Sequence, residues 1–180
     1  MKVSHTALAG VLQIEPEVFG DSRGFFLESF NLRDFRNATG LDVNFVQDNH
    51  SRSFQGVVRG LHYQLQPHAQ GKLVRVLRGA IFDVVVDIRL GSSTFGQWMG
   101  TEMTEDNAML LWMPEGFAHG FLALSAHADI LYKTTDYHMP AYERCIAWDD
   151  AELGVRWPLQ GQPLLSAKDA AGQPWADIAI

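Results

Sequence analysis

Cysteine is nearly absent: Cys145 is the only one in 180 residues. No intrachain disulfide can form, so a reducing compartment is expected. Long apolar runs are missing as well. The N-terminal run at 7–12 is broken by Gly10 and followed by Gln13 and Glu15, too short for the core of a signal peptide. No stretch reaches the ~20 apolar residues of a membrane helix, and the expected location is cytoplasmic. There is no block of Lys or Arg, and the net charge is −7. Nucleic acid and anionic membranes are therefore not expected as partners. No Gly-rich phosphate loop opens a helix, so a nucleotide would have to be held by side chains. Repeats, low-complexity segments and linkers are also lacking, and residues 1–180 read as a single domain.

What is present favours strands. Apolar residues make up 47% of the chain, with Gly 16, Pro 7 and Phe 11. Short apolar or alternating segments recur at regular spacing between glycine-containing corners, which predicts an all-β sandwich or jelly roll. Segments 3–17, 25–30, 41–46, 97–103, 109–113, 121–124 and 128–135 read as strands, and 19–24 reads as a turn. Asn31 as N-cap, Leu32, Phe35 and Arg36 at helical spacing, and Gly40 as terminator predict one helix of about two turns.

Residues 59–89 are the organising stretch. A polar cluster, Arg59, His62, Tyr63 and Gln64, leads through a turn-rich segment at 66–71 to Lys72. The apolar runs 73–77 and 81–88 follow, and the intervening Arg78-Gly79 reads as a tight antiparallel connection. In the second run Asp83, Val85 and Asp87 share one face. Carboxylates on an apolar strand are costly unless paired, so that face is expected to line something polar.

His62, Lys72 and Tyr132 are the leading chemical set. A histidine near its unperturbed pKa of ~6.5 serves as a general base. A lysine neutralises a developing enolate oxygen and a tyrosine donates a proton, which together suit proton transfer beside a carbonyl. Pro114-x-Gly116-x-x-His119 is similar to the second half of the cupin metal pattern. The first half is incomplete: His62-Tyr63-Gln64 has Gln at its second ligand position, and His68 is the next candidate. A bound metal is not expected, and His119 is read as a hydrogen-bonding residue of the cavity. Arg23, Arg59 and Lys168 are candidate phosphate clamps. Asp169 and Asp83 are candidates to orient His62 or Lys72. Cys145 is read as a small packed residue.

Several stretches resemble the dTDP-4-dehydrorhamnose 3,5-epimerase family: FGDSRGFFLESF at 19–30, VQDNHS at 46–51, RGLHYQ at 59–64 and QGKLVRV at 70–76. So do FDVVVDIR at 82–89, PEGFAHGF at 114–121, YKTT at 132–135 and SAKD at 166–169. The resemblance implies a cupin-like jelly roll with no metal or other cofactor, usually a homodimer, acting on a dTDP-linked 4-keto-6-deoxy sugar. It implies His62 as base, Asp169 as its orienting partner, Lys72 as enolate stabiliser and Tyr132 as acid. Arg23, Glu28, Gln47, Asn49, Arg59, His119, Glu143 and Lys168 match positions that hold the nucleotide sugar. His138 departs from the family pattern, standing where an aromatic residue stacks on thymine. Inversion at both C3 and C5 is the expected reaction. The rivals are inversion at one carbon only, a metal-dependent cupin, and a non-catalytic sugar-nucleotide binding module.

Overall fold

In the computed structural model, which describes residues 1–180, short strands dominate. Strands β1 (Lys2–His5) and β2 (Leu12–Glu15) pair with each other, as do β3 (Val18–Asp21) and β4 (Gly24–Leu27). Helix α1 (Leu32–Thr39) is the one the sequence predicts. The Asn31 side chain accepts from Asp34 N at 3.3 Å, and Gly40 closes the helix at φ 72°. The remaining strands are β5 (Gln47–Phe54), β6 (Val58–Gln64), β7 (Lys72–Arg78), β8 (Ala80–Asp87), β9 (Trp98–Thr104), β10 (Leu110–Met113), β11 (Phe117–Ala123), β12 (His127–Thr134) and β13 (Glu143–Cys145). A single-turn helix, α2 (Ala167–Ala170), and a 3-10 turn at Trp175–Asp177 follow.

These strands form a six-stranded sheet in the order β1-β2-β10-β7-β12-β5 and a five-stranded sheet in the order β13-β6-β11-β8-β9, with β3-β4 a separate ribbon. The fold is an all-β, cupin-like jelly roll. Val74, Leu111 and Ile130 of the first sheet meet Val85, Met103 and Phe117 of the second in the core. Burying each such side chain is worth ~1.5–3 kcal/mol. Leu61, Val84, Val86 and Ile88 face the other way, against Ile146, Leu153 and Trp157 of the C-terminal segment. The opposed faces predicted for the second apolar run are thus both real.

Three local expectations need correction. β7 and β8 do not form a hairpin; they lie in different sheets. Gly79, at φ 76°, turns the chain across the barrel edge, where a Cβ would stand 2.2 Å from His127 O. Residues 41–46 are not a strand. Their alternation has another cause: Leu41, Val43 and Phe45 pack on Phe35 and Trp112 outside the six-stranded sheet. The polar residues 47–51 are themselves the start of β5. Part of the predicted turn at 19–24 is likewise strand, since Phe19 pairs with Phe26. No helix is long and apolar enough to cross a membrane.

Candidate active site

Between the two sheets lies a cavity of about 300 Å³, and the polar residues of the organising stretch open onto it. β5 alternates, so Gln47, Asn49 and Ser51 line the cavity while Asp48, His50 and Arg52 do not. β6 supplies Arg59 and His62, β7 supplies Lys72, β11 supplies His119 and β12 supplies Tyr132. His62 and His119 are cross-strand partners. Beside them the strands meet backbone to backbone, and a Cβ on Gly60 (φ 125°) would sit 2.5 Å from Gly120 Cα. Only glycine fits there.

His62 Nε2 stands 2.8 Å from Asp169 Oδ1. The approach is too oblique for a fully formed hydrogen bond. Asp169 is itself fixed: Oδ1 accepts from Gly60 N at 2.9 Å and Oδ2 accepts from the Ser166 hydroxyl at 2.5 Å. Burial alone would raise its pKa. The partners His62, Ser166 and Gly60 N outweigh that and hold the carboxyl well below the usual carboxylate range. The carboxylate faces Nε2, which leaves Nδ1 as the nitrogen able to take a proton.

Lys72 is buried, and its Nζ donates to His62 O at 3.4 Å. Burial pulls its pKa down to about 8, against the pull of Glu143 and Asp83. The Tyr132 phenol is raised, chiefly by burial and then by Glu143. Tyr132 and Lys72 come from the six-stranded sheet and His62 from the five-stranded one. Imidazole and phenol therefore enter the cavity from opposite walls.

A second polar chain rims the opening. Lys168 Nζ donates to Glu143 Oε1 at 2.7 Å, and His138 Nε2 lies 3.3 Å from Glu143 Oε2. Burial raises the Glu143 carboxyl, but the hydrogen bonds from Lys168 and His138, with the charge of Lys168, bring it below its ordinary value. His138 N donates to Gln47 Oε1 at 3.0 Å, which ties the rim to β5. His119 lies within β11, and its Nε2 is 2.8 Å from Asp83 Oδ2.

The cavity thus gathers Gln47, Asn49, Arg59, His62, Lys72, His119, Tyr132, His138, Glu143 and Lys168, with Asp169 directly behind His62. Arg23 and Glu28 are not brought to it within one chain. Arg23 is exposed at the turn of the β3-β4 ribbon and paired with Asp21, and Glu28 accepts from Asn31 Nδ2 at 3.2 Å. Sequence reasoning missed Gln64 and Gln70 as cavity residues. Buried Gln64 donates to His68 O at 2.6 Å and to Tyr137 O at 3.2 Å, and accepts from Met139 N at 2.8 Å. Gln70 donates to Asp136 O at 2.7 Å. The signal was the presence of Gln64 where cupins carry a metal ligand.

The sequence profile of the family described as dTDP-4-dehydrorhamnose 3,5-epimerase matches residues 5–177. A dTDP-4-dehydrorhamnose 3,5-epimerase of Pseudomonas aeruginosa is 57% identical, covering 98% of this chain and 97% of that protein. A dTDP-4-dehydrorhamnose 3-epimerase of Streptomyces niveus is 40% identical, over 94% of this chain and 81% of the relative. The crystal structure of the dTDP-6-deoxy-D-glucose-3,5-epimerase of Legionella pneumophila in complex with dTDP-4-keto-L-rhamnose superposes with a TM-score of 0.96 at 50% identity, covering 99% of this chain and 94% of that one. From residue 5 to residue 177, this chain belongs to the dTDP-4-dehydrorhamnose 3,5-epimerase family.

Proposed function

We propose that the protein inverts C3 and C5 of dTDP-4-dehydro-6-deoxy-D-glucose, giving dTDP-4-dehydro-L-rhamnose, with residues 1–180 acting as one domain. The observation that carries this reading is the imidazole–carboxylate pair of His62 and Asp169 sharing one cavity with Lys72 and Tyr132. Both carbons flank the C4 ketone. His62 takes the C–H proton, and the electron pair moves onto the C4 oxygen, where the Lys72 ammonium balances the enolate charge. Tyr132 then protonates the same carbon from the opposite face, which inverts it. His62 then releases its proton to solvent and Tyr132 regains one from it, and a second round inverts the other carbon. Electrons are neither gained nor lost, so the chemistry calls for no redox cofactor.

Arg59, His119, Gln47, Asn49 and Lys168 hold the nucleotide sugar on this reading, and Glu143 and His138 frame the base end. Arg23 and Glu28 reach substrate only if a second copy supplies them. The exposed ribbon, with Phe19, Phe25 and Phe26 at 55%, 70% and 67% accessibility, suits such a homodimer contact. Light scattering is expected to give twice the chain mass, and a monomer would overturn that part. The protein works in the cytoplasm on this reading.

Incubation in D₂O followed by NMR tests the reaction, with deuterium expected at both C3 and C5. Incorporation at one carbon alone would make the enzyme a single-site epimerase, like the named activity of the Streptomyces niveus relative.

A further inference from the structure

One thiol beside the His62–Asp169 pair has no part in the proposed reaction. β13 pairs with β6 so that Cys145 lies directly opposite His62. A His62 ring nitrogen, the Cys145 sulfur and an Asp169 carboxylate oxygen all lie within 4.8 Å of one another. They come from β6, β13 and α2, elements otherwise locked together: Gly60 N donates to Asp169, and Leu61 and Ile146 exchange backbone hydrogen bonds at 2.9 and 3.2 Å. The three donors are therefore held as a group and are not a chance cluster on mobile loops.

We propose that His62, Cys145 and Asp169 form a binding site for a thiophilic divalent cation, best met by Zn²⁺, and that its occupancy switches the epimerase off. Imidazole, thiolate and carboxylate make up a donor set that zinc takes tetrahedrally, at ~2.0–2.1 Å to nitrogen, ~2.3 Å to sulfur and ~2.0–2.2 Å to oxygen. Those bond lengths put neighbouring donors roughly 3.3–3.6 Å apart. The His62–Asp169 pair, now at 2.8 Å, needs to open only slightly, and the sulfur, within 4.8 Å of both donors, needs to draw in. Three protein ligands leave the fourth position to solvent, as in other open zinc sites. This site differs from the cupin ligand set, since Gln64 holds the 137–139 segment and His119 is held by Asp83.

The proton balance explains the inhibition. A cysteine without metal is a neutral S–H at pH 7, its ordinary pKa being ~8.5. Metal binding expels that proton to solvent as the Zn–S bond forms, so affinity rises with pH. Coordination through Nε2 moves the imidazole proton to Nδ1, and the nitrogen that would have accepted the sugar's proton now bears one. The carboxylate keeps its charge and trades the imidazole for the ion. Only the loss of rate rests on His62 being the base; ion binding does not.

The test separates the two. Chelator-treated protein, without substrate, is titrated with Co²⁺ as a spectroscopic probe and with Zn²⁺ by calorimetry. One ion per chain and a thiolate-to-cobalt charge-transfer band are expected. Cys145→Ala removes a ligand while leaving metal-free activity unchanged, and weakens both Zn²⁺ binding and Zn²⁺ inhibition by ~10-fold or more. Cys145→Ser serves the same purpose should the alanine variant fold poorly. The absence of a charge-transfer band, or equal Zn²⁺ inhibition of wild type and both variants, would overturn the site. Binding without inhibition would overturn the switch alone.

Discussion

Asp169 Oδ1 lies 2.8 Å from His62 Nε2, although the two residues enter the site from a one-turn helix and from the middle of a strand in the five-stranded sheet. The carboxylate is already committed to Ser166 and the Gly60 amide, so it fixes the ring rather than following it. Asp169→Asn keeps the shape and loses the charge. It is expected to lower kcat by ~10²–10⁴ with a small change in KM. The depressed carboxyl contributes stability above its unfolded value of ~3.9, and that contribution fades as pH falls through the folded value. The Tm gap between wild type and Asp169→Asn is therefore expected to narrow in acid. A full-rate Asp169→Asn enzyme would remove Asp169 from the mechanism.

Lys72 gives a pH signature with opposite signs for rate and stability. Its folded pKa is about 8 because burial disfavours the ammonium, while the unfolded value is ~10.4. Activity is expected to fall as pH rises through about 8, because the enolate loses its counter-charge. Over the window between these two values the unfolded chain binds more protons, so stability rises with pH. Lys72→Met is expected to lower kcat by ~10²–10³ and to abolish that alkaline rise in stability. A pH–rate profile and denaturant melts at several pH values check both.

His138 sits at the rim, exposed and 3.3 Å from Glu143. A phenol ring offers a larger stacking face than an imidazole. His138→Tyr is expected to lower KM for the dTDP-sugar by ~2–10-fold, the range of a single aromatic contact, with kcat unchanged. An unchanged KM in steady-state kinetics would place His138 away from the base.

Gln64 fastens the segment that carries His138. Gln64→Leu leaves His68 O, Tyr137 O and Met139 N without this partner, at a cost of ~1–3 kcal/mol in stability. KM is expected to rise more than kcat falls, since the rim loosens while His62, Lys72 and Tyr132 stay in place. Loss of kcat at constant KM would instead put Gln64 in the chemistry.

Much of this was legible because it depends on local pattern. Asn31 and Gly40 bound the helix as their capping chemistry dictates, and the alternation in β8 separates Asp83 and Val85 from Val84 and Val86. Long-range pairing was not legible. The connection at Arg78-Gly79 looks like a hairpin until His127 is seen against Gly79, and 41–46 alternates because of a helix-packing surface. Residue types pointed to His62, Lys72 and Tyr132, whereas Asp169 as partner needed the family resemblance, for nothing local ties a C-terminal aspartate to β6. The role of Gln64 was missed because its work is to bind backbone in a segment some 70 residues away.

Asp169 arrives on α2, after every strand of both sheets has been laid down. Until that helix has been made, His62 is without its carboxylate. On the proposed mechanism, competence for proton abstraction is thus acquired last, and a half-made polypeptide stays chemically mute.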